Sequence, residues 1–355
     1  MTGEPPSKAR RKLGRVCVPN VTMAHGGGGK AMHDLIDDVF VEAFYNDVLA
    51  PMEDQARFGM RELSRHGDRL AFTTDSYVVS PLEFPGGDIG KLAVCGTVND
   101  LAVGGARPLY LSCGVIIEEG LPVDVLRRIA RTMATTAREA GVQIVTGDTK
   151  VVERGACDKV FINTAGIGMI REGITLGADR ARPGDLILVN GVLGDHGATI
   201  LNERGDMLLD TKLMSDCAAL NGLIGTLLEA APGTRFIRDA TRGGVATVLN
   251  EIARASQVGI QIVERDTPIR DVVKGFCEIL GLDPLYLANE GRVVCVVPAA
   301  QADAALTAMR AHPHGEGSAV IGSVVEGRER VVMSTVFGGN RIVDTLVGEQ
   351  LPRIC

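Results

Sequence analysis

The chain has no tryptophan and, in 355 residues, only four tyrosines and nine phenylalanines. So few aromatics argue against a protein that reads single-stranded nucleic acid by base stacking. Long hydrophobic runs are also missing. Stretches such as 293–298 fall well short of the roughly 20 apolar residues a membrane span requires, so no membrane association is expected. The eight cysteines, at 17, 95, 113, 157, 217, 277, 295 and 355, form no C-x-x-C pair and no zinc spacing. They read as reduced thiols of a cytoplasmic protein, most of them small buried hydrophobes. An excess of positive charge is absent too. The formal net charge is −7, which disfavours nucleic acid and anionic membranes as partners. The basic cluster Lys8, Arg10, Arg11, Lys12 and Arg15 has no apolar segment behind it and does not have the form of a secretory signal. Residues 1–20 read as a solvated basic arm.

Glycine, with 44 copies, is the residue in excess, at about 12% against a usual value near 7%. Tight turns and close backbone approaches to a ligand are expected. Residues 122–140 give the clearest helix. Val125, Leu126, Ile129, Met133 and Ala137 repeat on one face, Pro122 suits the first helical position, and Gly141 suits the stop. Helical patterns also cover 35–63 (broken near Pro51), 94–103, 198–203, 215–229, 245–256 and 300–312. Strand-like runs fall at 69–79, 109–117, 142–146, 160–170, 186–190, 235–238, 259–263, 292–297, 319–325 and 330–334. Helices and strands mix in both halves, and Arg182-Pro183-Gly184-Asp185 marks a turn between them. The expectation is an α+β chain with a 1–20 arm, domains at 21–175 and 176–340, and a tail at 341–355.

Several constellations could carry chemistry. His25-Gly26-Gly27-Gly28-Gly29-Lys30 runs into a helical segment, and chained backbone N–H groups plus a lysine can cradle phosphate. It lacks the Walker spacing, because Ala24 and Ala31 stand where Gly and Ser or Thr are needed. A flexible surface loop is the other reading. Asp75, Asp148 and Asp239 follow strand-like runs, and Asp100 sits in a helical one. If the fold gathers them, such carboxylates suit Mg²⁺, which takes a few carboxylates together with phosphate oxygens and water. Taken singly, each is better explained as a cap or turn residue. The stretch 190–197, with His196, is either a second anion nest or a tight turn holding a satisfied histidine. His312 and His314 read as loop residues. The chain closes on Pro352-Arg353-Ile354-Cys355. A thiol on an extended final segment can travel about 25 Å from Gly348, or it simply dangles.

Ala24-His25-Gly26-Gly27-Gly28-Gly29, Phe72-Thr73-Thr74-Asp75, Gly90-Lys91-Leu92-Ala93 leading to Gly96-Thr97-Val98-Asn99-Asp100, Thr146-Gly147-Asp148-Thr149-Lys150 and Asp239-Ala240-Thr241-Arg242-Gly243-Gly244 occur in that order. This series resembles the ATP-binding superfamily of aminoimidazole ribonucleotide synthetase, thiamine-monophosphate kinase and selenophosphate synthetase. The closing Pro352-Arg353-Ile354-Cys355 is similar to the tail of the carbamoyl dehydratase family of [NiFe]-hydrogenase maturation. The resemblance implies a two-domain α+β fold whose N-terminal domain pairs in a homodimer. It implies ATP and Mg²⁺ as cofactors, with Asp75, Asp100, Asp148 and Asp239 as the metal–nucleotide aspartates. Gly26, Gly27, Gly28, Gly29 and Lys91 match its phosphate contacts. Cys355 would carry a carboxamide, and Glu290 or Lys150 would handle proton transfer. A HypF-like carbamoyltransferase would load the thiol, and a HypC–HypD-like iron-carrying complex would take the cyanide. The alternatives are a selenophosphate synthetase-like or thiamine-monophosphate kinase-like enzyme, or a non-enzymatic thiol carrier.

Overall fold

The computed structural model describes residues 14–205 and 212–345. Cys355, the tail from 346 onward and the basic arm up to residue 13 lie outside the described residues. In chain order, α1 (Lys30–Leu35) runs through a π turn (Ile36–Val41) into α2 (Glu42–Phe44). Then come α3 (Met60–Leu63), β1 (Arg69–Tyr77), β2 (Glu83–Phe84), β3 (Gly87–Asp88), α4 (Ile89–Val103), β4 (Ala106–Glu118), α5 (Val123–Ala140), β5 (Gln143–Val152) and β6 (Val160–Ile170). The second half holds β7 (Leu186–Val189), α6 (Asp195–Arg204), α7 (Asn221–Ala230), β8 (Phe236–Asp239), α8 (Gly244–Ser256), β9 (Gly259–Val263) and α9 (Asp271–Leu280). It ends with β10 (Val293–Val297), α10 (Ala302–Arg310), β11 (Ala319–Val325), β12 (Arg330–Ser334) and β13 (Asn340–Val343).

Besides the small β2–β3 ribbon, two large sheets result, ordered β1-β6-β4-β5 and β13-β12-β9-β11-β7-β10-β8. Most neighbours are antiparallel, while β4–β5 and β9–β12 are parallel. The α+β expectation holds. Helix α5 buries Leu126, Ile129, Met133 and Ala137 against the first sheet's core. It stops at Gly141, whose φ of 71° an L side chain rarely adopts. Pro122 is the residue that caps this helix, one position earlier than expected.

Helix α4 is the element that positions the site. It is buried on nearly every side, from Ile89 to Ala102, because it lies between the first sheet and the C-terminal half. Gly96 is required here, since a Cβ at that position would stand 2.2 Å from the Tyr77 hydroxyl. Asn99 ties the halves together. Its Nδ2 donates to Ala218 O at 3.0 Å, and its Oδ1 accepts from Leu220 N at 2.7 Å.

Three expectations need correction. Helical structure begins at Lys30 and ends at Phe44, and the only helix between Tyr45 and Leu63 is the short α3. Helix α7 begins at Asn221, not near 215, because residues 215–220 form tertiary bonds instead: Ser215 N donates to Pro85 O, and Leu220 N to Asn99. Helix α4 starts at Ile89, because Asp88 caps it by accepting from Lys91 N at 2.8 Å. The sequence patterns also missed α9 and β13.

Candidate active site

Three of the sequence-selected aspartates meet at one end of α4. Asp75 comes from β1, Asp100 from α4 and Asp239 from the end of β8. Asp75 lies inside its strand, paired with Thr164, and not after it. The Thr73 hydroxyl donates to Asp100 Oδ2 at 3.3 Å, and Arg242 Nη2 stands 3.8 Å from Asp75 Oδ1. Burial pushes the Asp100 carboxyl up to about 7, and the charges of Asp239 and Asp75 push in the same direction. The Asp239 carboxyl is also raised, first by burial. An all-oxygen set whose members repel one another fits a hard divalent cation. Among the described residues no three His, Cys, Asp or Glu side chains are close enough to hold an ion on their own. The set therefore fits Mg²⁺ that arrives with phosphate oxygens.

Glu290 lies next to this acidic set. Its backbone N–H donates to Asp216 Oδ1 at 3.0 Å, and the side chain is buried with Oε1 lacking any hydrogen-bond partner. Asn289 fixes the loop, donating to Ala240 O at 3.0 Å and accepting from Gly194 N at 2.8 Å. Burial raises the Glu290 carboxyl well above its ordinary value, followed by the charges of Asp239, Asp216, Cys95 and Asp75. Burial thus makes Glu290 a stronger base than an exposed carboxylate. Lys91 sits in the first turn of α4 and donates to Gly86 O at 2.8 Å. The Cys217 thiol, buried against Cys95, is raised well above its ordinary value by that contact and by burial.

The remaining sequence-selected residues lie elsewhere. Asp148 is inside β5, opposite Gly114; Gly114 is opposite Asn163, and Asn163 is opposite Ser76. Alternation along β1 puts Asp75 on the opposite face from Ser76. Within one chain Asp148 therefore faces away from the acidic set, three strand spacings or about 14 Å across the sheet. It pairs with Lys150 at 3.0 Å, and both side chains are about two-thirds exposed. Gly26 packs against the same edge strand, where an added Cβ would meet Val151 at 2.9 Å. Gly28 and Gly29 would meet nothing within 4 Å, so the loop is open on its outer side. Gly27 lies between them and the short turn Met23–Gly26, whose end it caps. Lys30 turns to Asp34 at 2.5 Å.

The 190–197 stretch is the tight turn, not a second nest. The N–H groups of Leu193, Gly194 and Gly197 go to Pro268 O, Asn289 Oδ1 and Ala288 O, and His196 bonds Ser215 Oγ at 2.8 Å. Asp195, Asp216, Arg270 and Arg292 gather beside Glu290 and were not selected from sequence. Asp216 sits in the segment misread as helix, and only its tertiary place gives it meaning.

Two family models match the chain: AIR synthase related protein, N-terminal domain, over residues 53–170, and AIR synthase related protein, C-terminal domain, over residues 182–334. A carbamoyl dehydratase HypE of Rhodobacter capsulatus is 63% identical over 94% of this chain and 98% of its own. A hydrogenase maturation protein HypE solved in complex with ATP superposes with a TM-score of 0.89 at 51% identity, over 94% of this chain and 99% of that one. A HypE solved in a HypE–HypF complex gives a TM-score of 0.76 at 46% identity, over 90% of this chain and 100% of that one. With similarity of this depth across both halves of the fold, the chain belongs to the carbamoyl dehydratase HypE family.

Proposed function

We propose that the chain dehydrates a carboxamide carried on the sulfur of Cys355 to a thiocyanate, consuming ATP and supplying cyanide for hydrogenase iron. The observation that carries this reading is the junction of a cation-seeking acidic set with a buried glutamate whose Oε1 has no hydrogen-bond partner, in a family of carbamoyl dehydratases. A HypF-like carbamoyltransferase would load the thiol, in keeping with the HypE–HypF complex of the relative, and a HypC–HypD-like complex would receive the product. ATP binding is inferred from the relative solved with it. Among the described residues no helix is long and apolar enough to cross a membrane, and a cytoplasmic site of action is part of the proposal.

The tail can reach the site. Asp344 O accepts from the Tyr286 hydroxyl at 2.8 Å, and the four residue-to-residue steps from Tyr286 to Glu290 span at most about 14 Å. The ten residue-to-residue steps from Thr345 to Cys355 extend to about 33 Å.

The carboxamide oxygen is a poor leaving group, and transfer of the ATP γ-phosphoryl to it makes phosphate the leaving group. Mg²⁺ supplies positive charge for that transfer, and Asp75, Asp100 and Asp239 are the side chains that would hold it. O-phosphorylation releases one N–H proton to water as the phosphorylated imidate forms, and Glu290 then takes the second as the C–O bond breaks and phosphate departs, leaving the C≡N triple bond on sulfur. Glu290 is preferred over Lys150 because its carboxylate is buried beside the acidic set, whereas Lys150 is an ammonium paired with Asp148 at 3.0 Å and would first have to lose its proton to act as a base.

Asp148, Lys150 and the Gly26–Gly29 loop sit toward the opposite edge from the acidic set, so a homodimer belongs to the proposal. The first sheet leaves one face open, with Leu70 58%, Phe72 68% and Ile116 42% exposed. Pairing through that face would let the loop, Asp148 and Lys150 of one copy serve ATP held at the acidic set of the other. The apolar cavity of about 150 Å³ lined by Met32, Ile36, Phe40, Val115 and Thr146 is the place proposed for adenine.

The test uses Asp75→Asn and Asp148→Asn proteins with a loading partner. Both should accept the carboxamide on Cys355 yet fail to hydrolyse ATP. Full ATP turnover in both would overturn the reading and favour a thiol carrier, while full activity of Cys355→Ala on a diffusible substrate would favour a small-molecule kinase or synthetase.

A further inference from the structure

Beside Glu290 lies a cavity of about 370 Å³ whose lining includes Ser215, Asp216, Cys217, Arg270 and Arg292. Asp216 lines it and Asp195 and Glu290 stand behind the lining, and all three carboxylates are buried and incompletely bonded. Asp216 is 0% exposed and Asp195 2% exposed at the side chain, yet Asp216 Oδ2 and Asp195 Oδ1 have no hydrogen-bond donor, and neither has Glu290 Oε1. The neighbouring arginines do not meet this need. Arg292 Nε stands 3.5 Å from Asp216 Oδ2, but it donates to Val192 O at 2.8 Å, and Nη1 donates to Gly291 O at 2.8 Å. Arg270 Nε approaches the other oxygen of Asp195, at 3.3 Å. Buried acceptors left open beside a cavity are rare in folded chains and point to an incoming donor.

We infer that the donor is Arg353 of the chain's own tail, whose guanidinium enters this cavity and bonds the open oxygens of Asp216 and Asp195 when Cys355 stands at Glu290. The inference rests on the dehydratase reading and makes Arg353 a positioning residue for it. Arg353 lies two positions before Cys355, about 7 Å of chain, and Asp216 is bonded directly to the Glu290 backbone. A guanidinium presents several donors in a flat fork, which suits two carboxylate oxygens on different side chains. Charge agrees as well. Arg270 and Arg292 balance Asp195 and Asp216, so ionised Glu290 adds one uncompensated negative charge, and Arg353 supplies the positive one.

The experiment compares the full-length protein with R353A, R353K, D216N and the R353A/D216N double variant. Each is loaded by a HypF-type partner, and loss of water from the loaded fraction after adding ATP and Mg²⁺ is followed by intact mass. In parallel, unloaded protein with a non-hydrolysable ATP analogue is treated with iodoacetamide, and the alkylation rate of Cys355 reports tail docking without any catalysis. R353A should slow dehydration and speed alkylation by about ten- to a hundredfold, the range of one charge-assisted hydrogen bond. R353K should recover only part of each effect. D216N should match R353A, and adding R353A to it should cost little more. The R353A and R353K comparisons do not depend on D216N, so they remain informative even if D216N melts early. Wild-type rates of both dehydration and alkylation in R353A, or effects of R353A and D216N that multiply, would overturn the inference. If the wild-type protein never loses water from loaded Cys355, the dehydratase reading fails instead, and the alkylation rates still decide whether Arg353 docks the tail.

Discussion

Replacing Asp100 with asparagine should stabilise the metal-free protein at alkaline pH while removing its Mg²⁺-dependent function. The carboxyl is raised from 3.8 to about 7 by burial, with Asp239 and Asp75 adding repulsion. Below about pH 4 it is protonated in both folded and unfolded chains and contributes nothing. Between pH 4 and 7 the unfolded chain ionises while the folded one keeps its proton, so stability falls as pH rises, by up to about 1.4 kcal/mol per unit. Above pH 7 the penalty is complete, at most about 4 kcal/mol and nearer 2 kcal/mol once solvent screening of a half-buried group is included. An asparagine side chain at this position would keep the hydrogen bond from Thr73 and lose the repulsion. Urea denaturation in EDTA from pH 5 to 8.5 measures the difference. D100N should gain on wild type as pH rises, by about 2 kcal/mol at the alkaline end, and should lose the stabilisation that Mg²⁺–ATP gives the wild type. A D100N protein that falls further behind wild type with rising pH would refute the electrostatic picture of the acidic set.

Other substitutions test the frame around the site. Asn99→Ala removes both bonds to Ala218 and Leu220; chemical denaturation should show a loss of about 2–3 kcal/mol, since two buried backbone groups lose their partner. Gly291→Ala places a Cβ 1.9 Å from Asp216 O. Dehydration should fall more steeply than melting temperature, because the shift displaces Glu290. Asp185→Ala strips the buried partner from Arg235, now 2.7 Å away, and should cost about 3 kcal/mol or more by the same denaturation assay.

Local signals carried much of the fold. Residues 160–170, 259–263, 319–325 and 330–334 are strands with the expected bounds, because alternation and β-branched residues report strands directly. The beginning of α4 was hidden by Gly90 and Lys91, which look like a loop; a Cβ at Gly90 would meet Ile129 O at 2.7 Å, so the glycine answers to helix packing. Residues 215–220 were misread because their hydrogen-bond partners are distant in sequence, Pro85 and Asn99 among them more than a hundred residues away. The candidate site was legible as motifs in order, and Asp75, Asp100, Asp239 and Glu290 do come together. That Asp148 and Lys150 face away from them depends on sheet register, and Asp216 becomes visible only through the bond it makes to Glu290. Neither is written in local sequence.

The central claim is tested most directly by the intact mass of the chain incubated with carbamoyl phosphate, ATP, Mg²⁺ and a HypF-type partner, with and without blocked ATP hydrolysis. One carboxamide should appear on Cys355 and then lose one water, and the loss should occur only when ATP is hydrolysed. An unmodified Cys355 beside a partner proven active on another acceptor, or a carboxamide that persists through ATP turnover, would contradict the account.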